Sequence, residues 1–269
     1  MRATLSPEEN LGVGSVGGAV ETMILMPVLT WKLCSQEGRP YPRFPGMYRG
    51  VFVQASSMAP VTALQMFFNG IIEGAVTRGA RGATDAEAIG CSMAAGAGSS
   101  ILYGPVDLIA IHQQKMGLGP AATISHLCRT HGVLSLWRGI VPTAIRESIY
   151  TSGYLGLGPV FTAKIMQQDG WGDSYFSAAM IGSCIAGVVA NVMSQPVDTA
   201  KTCIQADIEG KNYRSTFQAL PKLFSDQGLR GLYLGGLART IRTIGAFFIV
   251  GTIREKCILR KTADAERRG

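Results

Sequence analysis

The sequence predicts an all-α membrane protein with six transmembrane helices, arranged as three tandem two-helix repeats. Three stretches, residues 51–72, 88–106 and 174–197, contain no Asp, Glu, Lys or Arg and are 22, 19 and 24 residues long. About 20 apolar residues cross the hydrocarbon core of a bilayer, so each stretch is long enough to span it. Charged residues make up only 16% of the chain, against roughly a quarter in soluble domains.

Three further apolar segments contain charged residues. A charge inside a membrane span normally faces the bundle interior or a water-filled cavity, so these three helices are expected to line one. These charges include Glu21 and Lys32 in residues 10–36, Arg146 and Glu147 in residues 139–168, and Arg242 in residues 235–260.

The net charge of +7 is distributed unevenly over the predicted loops. Segments 37–49, 108–138 and 206–234 carry +2, +3 and +1, whereas segments 73–87 and 164–173, on the opposite side, carry −1 each. An excess of basic residues on one side is a signal of membrane topology. The sequence has no basic patch interleaved with aromatic residues, so nucleic acid is not an expected partner.

Cysteine and histidine usage gives no sign of catalysis or metal binding. The six cysteines include no CxxC pair, which argues against a zinc site and against a disulfide framework. The sequence shows no set of a nucleophile with a base, and the three histidines are expected in loops or at helix ends. We therefore expect no enzyme activity, no cofactor and no metal site.

A threefold internal repeat is the strongest signal in the chain. Each copy begins with Pro-Val and has Gln nine positions after the proline. A second element, an aromatic residue followed by Arg or Leu and then Gly, precedes each following apolar helix. The repeats are predicted at residues 1–79, 80–170 and 171–269 of one membrane domain. The prolines, which are expected to kink their helices, are Pro27, Pro105 and Pro196.

The repeated pattern Pro-x-(Asp/Glu)-x-x-(Lys/Arg), followed by an aromatic-basic-Gly element, resembles the signature of the mitochondrial carrier family. Only the third copy, with Pro196, Asp198 and Lys201, is complete. The resemblance implies a multi-pass protein of the mitochondrial inner membrane. Its fold would be a six-helix barrel with pseudo-threefold symmetry and short amphipathic helices on the matrix side. Residues 123–131 and 215–227 fit two such helices, and the third is expected to be absent because residues 37–49 contain three prolines.

The resemblance also implies a gate on the matrix side. Residues two and five positions after each proline lie on one helix face, and in the family these acids and bases form ion pairs between neighbouring repeats. Carried over, Asp107 pairs with Lys201, and Asp198 pairs with Lys32. A gate of two ion pairs is therefore expected.

Two departures from the family pattern are visible. The third ion pair would join Leu29 and Ala110, which are both apolar; losing both charges costs far less than leaving one unpaired. At the other end, the family has an aromatic-acid-x-x-base pattern late in each even-numbered helix. The aligned windows, which begin at Asn69, Gly158 and Ile253, do not match it. Closure of the cytosolic side is therefore predicted to be apolar or differently polar.

Substrate contacts in the family lie on the even-numbered helices, seven residues after the repeated glycine. Guanidinium groups bind carboxylates bidentately, so two arginines facing a common cavity predict an anionic substrate. The sequences of residues 105–114 and 137–159 are similar to those of the citrate–oxoglutarate exchanger branch of the family. The predicted substrate-binding residues are Ser57, Arg146, Glu147 and Arg242, with Gln113, Gln114 and Tyr150 as additional polar contacts.

Two functions from different classes follow. The first is a carrier that exchanges small organic anions, di- and tricarboxylates such as citrate or oxoglutarate, with amino acids or related zwitterions as alternative substrates. The second is a carrier-derived structural subunit of a larger inner-membrane complex of the respiratory-chain type, with little or no transport. The expected partners are the anionic metabolite, membrane lipid (cardiolipin at the matrix-side helix ends) and, in the second case, that complex.

Overall fold

The computed structural model describes residues 7–78, 84–168 and 175–268. Two short 3-10 turns, Gly46–Tyr48 and Val133–Trp137, lie before the second and fifth α-helices, and a π-helical turn, Ser152–Leu157, joins the fifth to the sixth. In chain order the α-helices are α1 (Pro7–Glu37), α2 (Val51–Thr77), α3 (Asp85–Met116), α4 (Pro120–His131), α5 (Ile140–Thr151), α6 (Gly158–Met166), α7 (Tyr175–Ala206), α8 (Thr216–Leu232) and α9 (Gly236–Arg268).

The long helices form a closed ring. Helix α1 packs against α2, α2 against α3, and α3 against α5, which continues through the π turn into α6. Helix α6 packs against α7, α7 against α9, and α9 returns to α1. The segment α5–π–α6 counts as one rod, so six rods enclose a central space. The predicted all-α, six-helix architecture is confirmed.

Four of the described helical segments are long and apolar enough to cross a membrane. The other two rods, α5–π–α6 and α9, carry the arginines that face the interior of the ring. Charged groups lower the mean hydropathy of a helix, and they are tolerated in a span where they face a cavity. The four apolar segments are Val16–Glu37, Gly46–Thr77, Asp85–Met116 and Tyr175–Ala206.

Two short helices lie at one end of the ring. Helix α4 follows α3, and α8 follows α7 and packs on it, with Ala219 and Leu223 against Ala200, Cys203 and Ile204. Between α1 and α2 the described chain forms only a 3-10 turn. The first crossover is therefore shorter than the other two, as its three prolines predict.

The conformation of the backbone explains why the repeated aromatic-basic-Gly element ends in glycine. Gly50, Gly139 and Gly235 each precede a long helix, and their φ angles are +88°, +76° and +73°. A left-handed backbone is strained for residues with a Cβ but not for glycine. The repeat therefore marks the three points at which the chain turns into an even-numbered rod.

Another glycine, Gly96 of α3, sets the distance between α3 and α5. A Cβ added to Gly96 would lie 2.4 Å from the backbone oxygen of Glu147. Real Cβ atoms do not approach a carbonyl oxygen so closely, so α5 can lie against α3 only because residue 96 has no side chain. This contact fixes the position of Arg146 and Glu147 along the ring.

We expect Gly96→Ala to destabilise the protein by about 1–3 kcal/mol, because the added methyl group overpacks a helix contact that cannot relax without moving backbone. The measurement is the thermal unfolding midpoint of the purified protein in detergent. Gly90→Ala is the matched control, since Gly90 lies on the same helix with nothing within 4 Å of its added Cβ. Equal midpoints for the two variants would contradict the packing argument.

Candidate functional site

A cavity of about 320 Å³ lies inside the ring, a size suited to a small metabolite. Among the described residues, five cationic side chains and three carboxylates line it, so positive charge is in excess. These charged residues are Glu21, Lys32, Asp107, Arg146, Glu147, Lys201, Arg239 and Arg242.

One end of the cavity contains an ion pair between α1 and α7. Lys32 Nζ lies 2.6 Å from Asp198 Oδ2, and the Asp198 side chain is fully buried. Gln36 Nε2 donates to the same oxygen at 2.9 Å, and Gln36 Oε1 accepts from Thr202 at 2.8 Å. The glutamine therefore braces the ion pair with a second bond between the two helices.

A second ion pair joins α3 to α7 at the same end. Lys201 Nζ bonds Asp107 Oδ2, and both side chains are largely buried. Gln54 Nε2 donates to the other oxygen of Asp107 at 3.1 Å. The structure thus brings together both pairs of residues that the repeat pattern indicates, while their role as a gate remains a prediction.

The third position of the gate is filled by apolar side chains. Leu29 packs in a buried cluster with Met26, Leu33 and Ile111, and Ala110 is 1% exposed. Neither position leaves a buried charge without a partner, which is the arrangement that costs most.

Arg146 lies on α5 at the edge of the cavity and reaches towards the end that contains the two ion pairs. Its Nη2 bonds Glu147 Oε1, and its Cζ lies 4.8 Å from the centre of the Tyr103 ring. Its Nε lies 3.7 Å from Asp198 Oδ1. That nitrogen has no hydrogen-bond partner among the described residues, although Arg146 is only 7% exposed.

Two arginines of α9 face the cavity in different states of pairing. Arg242 Nη2 lies 3.3 Å from Glu21 Oε1 on α1. Arg239, which is 5% exposed, donates through Nη1 to Gln195 at 3.3 Å, whereas its Nη2 has no partner in the described part of the chain. Arg239 is therefore the second guanidinium in the cavity, after Arg146, with an N–H that has no hydrogen-bond partner in the described part of the chain.

Three residues that line the cavity are not at the substrate-contact positions carried over from the family, although the sequence contained a signal for each of them. Arg239 lies three residues before Arg242, so it shares that helix face. Glu21 is a charge in an otherwise apolar span, which predicted a place in the cavity. Tyr103 lies four residues before Asp107, on the same face of α3.

Three of the predicted contacts do not reach the cavity. Ser57 donates to the Gln54 backbone oxygen at 2.9 Å, so its short side chain is satisfied by its own helix. Gln113 and Gln114 lie six and seven residues beyond Asp107, which places them about 10 Å past the ion pairs. Gln114 accepts from Arg39 at 2.7 Å. Tyr150 and Glu147 do line the cavity.

In the windows that lack the family's aromatic-acid-x-x-base pattern, two polar side chains form hydrogen bonds within their own helix. Asn69 donates to Glu73 at 3.4 Å, and Thr162 donates to the Gly158 backbone oxygen at 2.8 Å. Both bonds lie within one helix, so they do not join neighbouring rods. The side chain of Arg254, in the third window, lies outside the described ones.

A ring of membrane helices around a cavity with charged side chains in its lining, and with ion pairs at one end, is the architecture of a solute carrier. The chain belongs to the mitochondrial carrier family: the family model described as "Mitochondrial carrier protein" matches residues 83–168 and 172–260, more than half of the chain. Members of this family are transporters and not enzymes.

Similar proteins include carriers from several organisms. A probable mitochondrial 2-oxoglutarate/malate carrier protein of Dictyostelium discoideum is 25% identical over 84% of this chain and 72% of its own length. A mitochondrial dicarboxylate/tricarboxylate transporter of Arabidopsis thaliana is 30% identical over 49% of this chain and 46% of its own. A human electrogenic aspartate/glutamate antiporter is 23% identical over 88% of this chain and 39% of its own.

We expect Asp107 and Lys201 to behave as one energetic unit. Asp107→Leu or Lys201→Met alone should cost about 3–5 kcal/mol, because each leaves a buried charge unpaired, whereas the double variant should recover most of that loss. Thermal unfolding of the four proteins in detergent measures the coupling.

The control is the pair Glu209 and Lys211, whose side chains are 50% and 76% exposed. The same kind of cycle there should show no measurable coupling, because water screens exposed pairs. Additive effects of Asp107→Leu and Lys201→Met would contradict the paired arrangement.

Proposed function

We propose that this chain exchanges small dicarboxylates and tricarboxylates, such as 2-oxoglutarate, malate or citrate, across the mitochondrial inner membrane. One observation carries the proposal: two buried guanidinium groups in one cavity each keep an N–H without a hydrogen-bond partner among the described residues. The atoms are Arg146 Nε and Arg239 Nη2.

Buried donors without partners carry a free-energy cost. An unsatisfied polar group costs about 1–3 kcal/mol, and more when it is charged. A bundle whose only role was structural could remove this cost with apolar side chains. A carboxylate bound between the two arginines would satisfy both donors through charge-assisted hydrogen bonds.

The charge of the cavity supports an anion with more than one carboxylate. Arg242 is paired with Glu21, and Lys32 and Lys201 are paired with aspartates. Arg146 of α5 is paired with Glu147 and keeps one N–H without a partner, so among the described residues the excess positive charge lies on Arg239 of α9. Two carboxylates on one molecule can engage both arginines. The names of the relatives from Dictyostelium and Arabidopsis agree with this substrate class.

An amino acid is the second candidate substrate. Glu147 lies beside Arg146 and accepts from Gln65 at 3.2 Å, so a carboxylate and a guanidinium face the same cavity. Such a pair can receive the ammonium and carboxylate groups of a zwitterion. Similarity to the aspartate/glutamate antiporter agrees with this alternative.

The test is exchange by the purified chain in liposomes loaded with malate. Labelled 2-oxoglutarate, citrate, aspartate and glutamate are offered outside in separate assays. The proposal expects exchange of 2-oxoglutarate or citrate. Exchange of only the amino acids would favour the second substrate class, and no exchange of any of the four would favour a structural subunit of an inner-membrane complex.

We expect Arg239→Ala to lower kcat/KM for the transported anion at least about thirtyfold, since removing a buried charged partner costs about 2 kcal/mol or more. The measurement is initial uptake over a range of anion concentrations. Arg230→Ala is the matched control: it removes the same group from an exposed position on α8 and should leave uptake unchanged. Equal uptake by the two variants would remove Arg239 from the binding site.

A further inference from the structure

Arg146 joins the cavity to the first ion pair. Its Nε faces Asp198 Oδ1 at 3.7 Å, and neither atom has a hydrogen-bond partner among the described residues. The other oxygen, Asp198 Oδ2, is the atom bound by Lys32 and Gln36. Asp198 thus lies between a gate cation on one side and a cavity cation on the other.

Tyr103 joins Arg146 to the second ion pair. Arg146 Cζ lies 4.8 Å and Lys201 Nζ 5.3 Å from the centre of the same ring. The face of an aromatic ring is electron-rich and attracts cations. One ring therefore attracts two cations that repel each other, one from the cavity and one from the Asp107 pair.

We propose that Tyr103 is a positioning residue that couples anion binding at Arg146 to both ion pairs; the inference rests on the proposed function, because it takes Arg146 to be a ligand of the anion. A bound carboxylate competes with Asp198 for the guanidinium. Once Arg146 moves to the anion, Asp198 keeps only Lys32 as its cation. The guanidinium then no longer stabilises Asp198 and no longer shares the ring with Lys201, so the surroundings of both pairs change in one step.

The test uses the full chain in proteoliposomes, with the six cysteines replaced by alanine and a reporter, Thr62→Cys, in the cavity lining. A membrane-impermeant maleimide applied from the matrix side labels the reporter when that end opens. The initial labelling rate is measured with and without saturating 2-oxoglutarate. Binding is measured separately as the rise in melting temperature that 2-oxoglutarate produces.

In the parent protein 2-oxoglutarate should raise both the melting temperature and the labelling rate. Tyr103→Phe keeps the ring and should stay within about twofold of the parent in both measurements. Tyr103→Leu should still bind the anion, but its anion-dependent labelling should fall at least about tenfold, as expected for loss of a desolvated cation–ring contact. Its maximal exchange rate should fall likewise, with KM changed less than about threefold.

Tyr175→Leu is the control for the loss of an aromatic ring, since Tyr175 is 66% exposed at the start of α7; it should behave like the parent. Full anion-dependent labelling in Tyr103→Leu would overturn the coupling while leaving the proposed function intact. Loss of binding in both Tyr103→Phe and Tyr103→Leu would make the hydroxyl a direct ligand and overturn the positioning role. A parent protein that does not bind 2-oxoglutarate would overturn the proposed function, and the coupling with it.

Discussion

The carboxylate of Asp198 is the group on which the end of the ring with the two ion pairs depends. It is fully buried, and a buried carboxylate without partners would cost far more than a protein of this size can supply. Lys32 and Gln36 of α1 provide its partners, so α1 must lie against α7 at this depth. The nearby guanidinium of Arg146 gives the same carboxylate a second neighbour, and that neighbour belongs to the cavity. One side chain thereby contacts residues of both α1 and α5 from its place on α7.

The sequence predicted the features that depend on local periodicity. Repeated prolines and acid–base spacing indicated three equivalent helices, and the structure places Asp107 against Lys201 and Asp198 against Lys32. The φ angles of the repeated glycines explain why that element recurs. Apolar length predicted the spans because a bilayer imposes a minimum length on any helix that crosses it. These short-range rules act within each repeat, so the same sequence pattern occurs three times along the chain.

Residues that occur in only one repeat were harder to predict. Tyr103 and Arg239 have no repeated counterpart, and their importance depends on how far the side chains of neighbouring rods reach into the cavity. Gln113 and Gln114 were expected as substrate contacts from the resemblance to the citrate–oxoglutarate branch, but depth along α3 decides whether a residue lies before or after the ion pairs. Composition does not report depth. The missed residues are therefore those fixed by packing between rods and not by spacing within one.

The π-helical turn at Ser152–Leu157 shifts the register of α6, which follows it, relative to the corresponding parts of the other rods. A π turn contains about one residue more than an α turn, and one residue rotates a helix by about 100°. Beyond Leu157, a residue that faces the axis is therefore one place later than a count from Gly139 suggests. By simple counting, Pro159 occupies the acidic position of the family pattern and Thr162 the basic one. With the shift of one residue, these positions fall on Val160 and Ala163. With either count both positions are uncharged, so this rod cannot form an ion pair with its neighbours through these two positions.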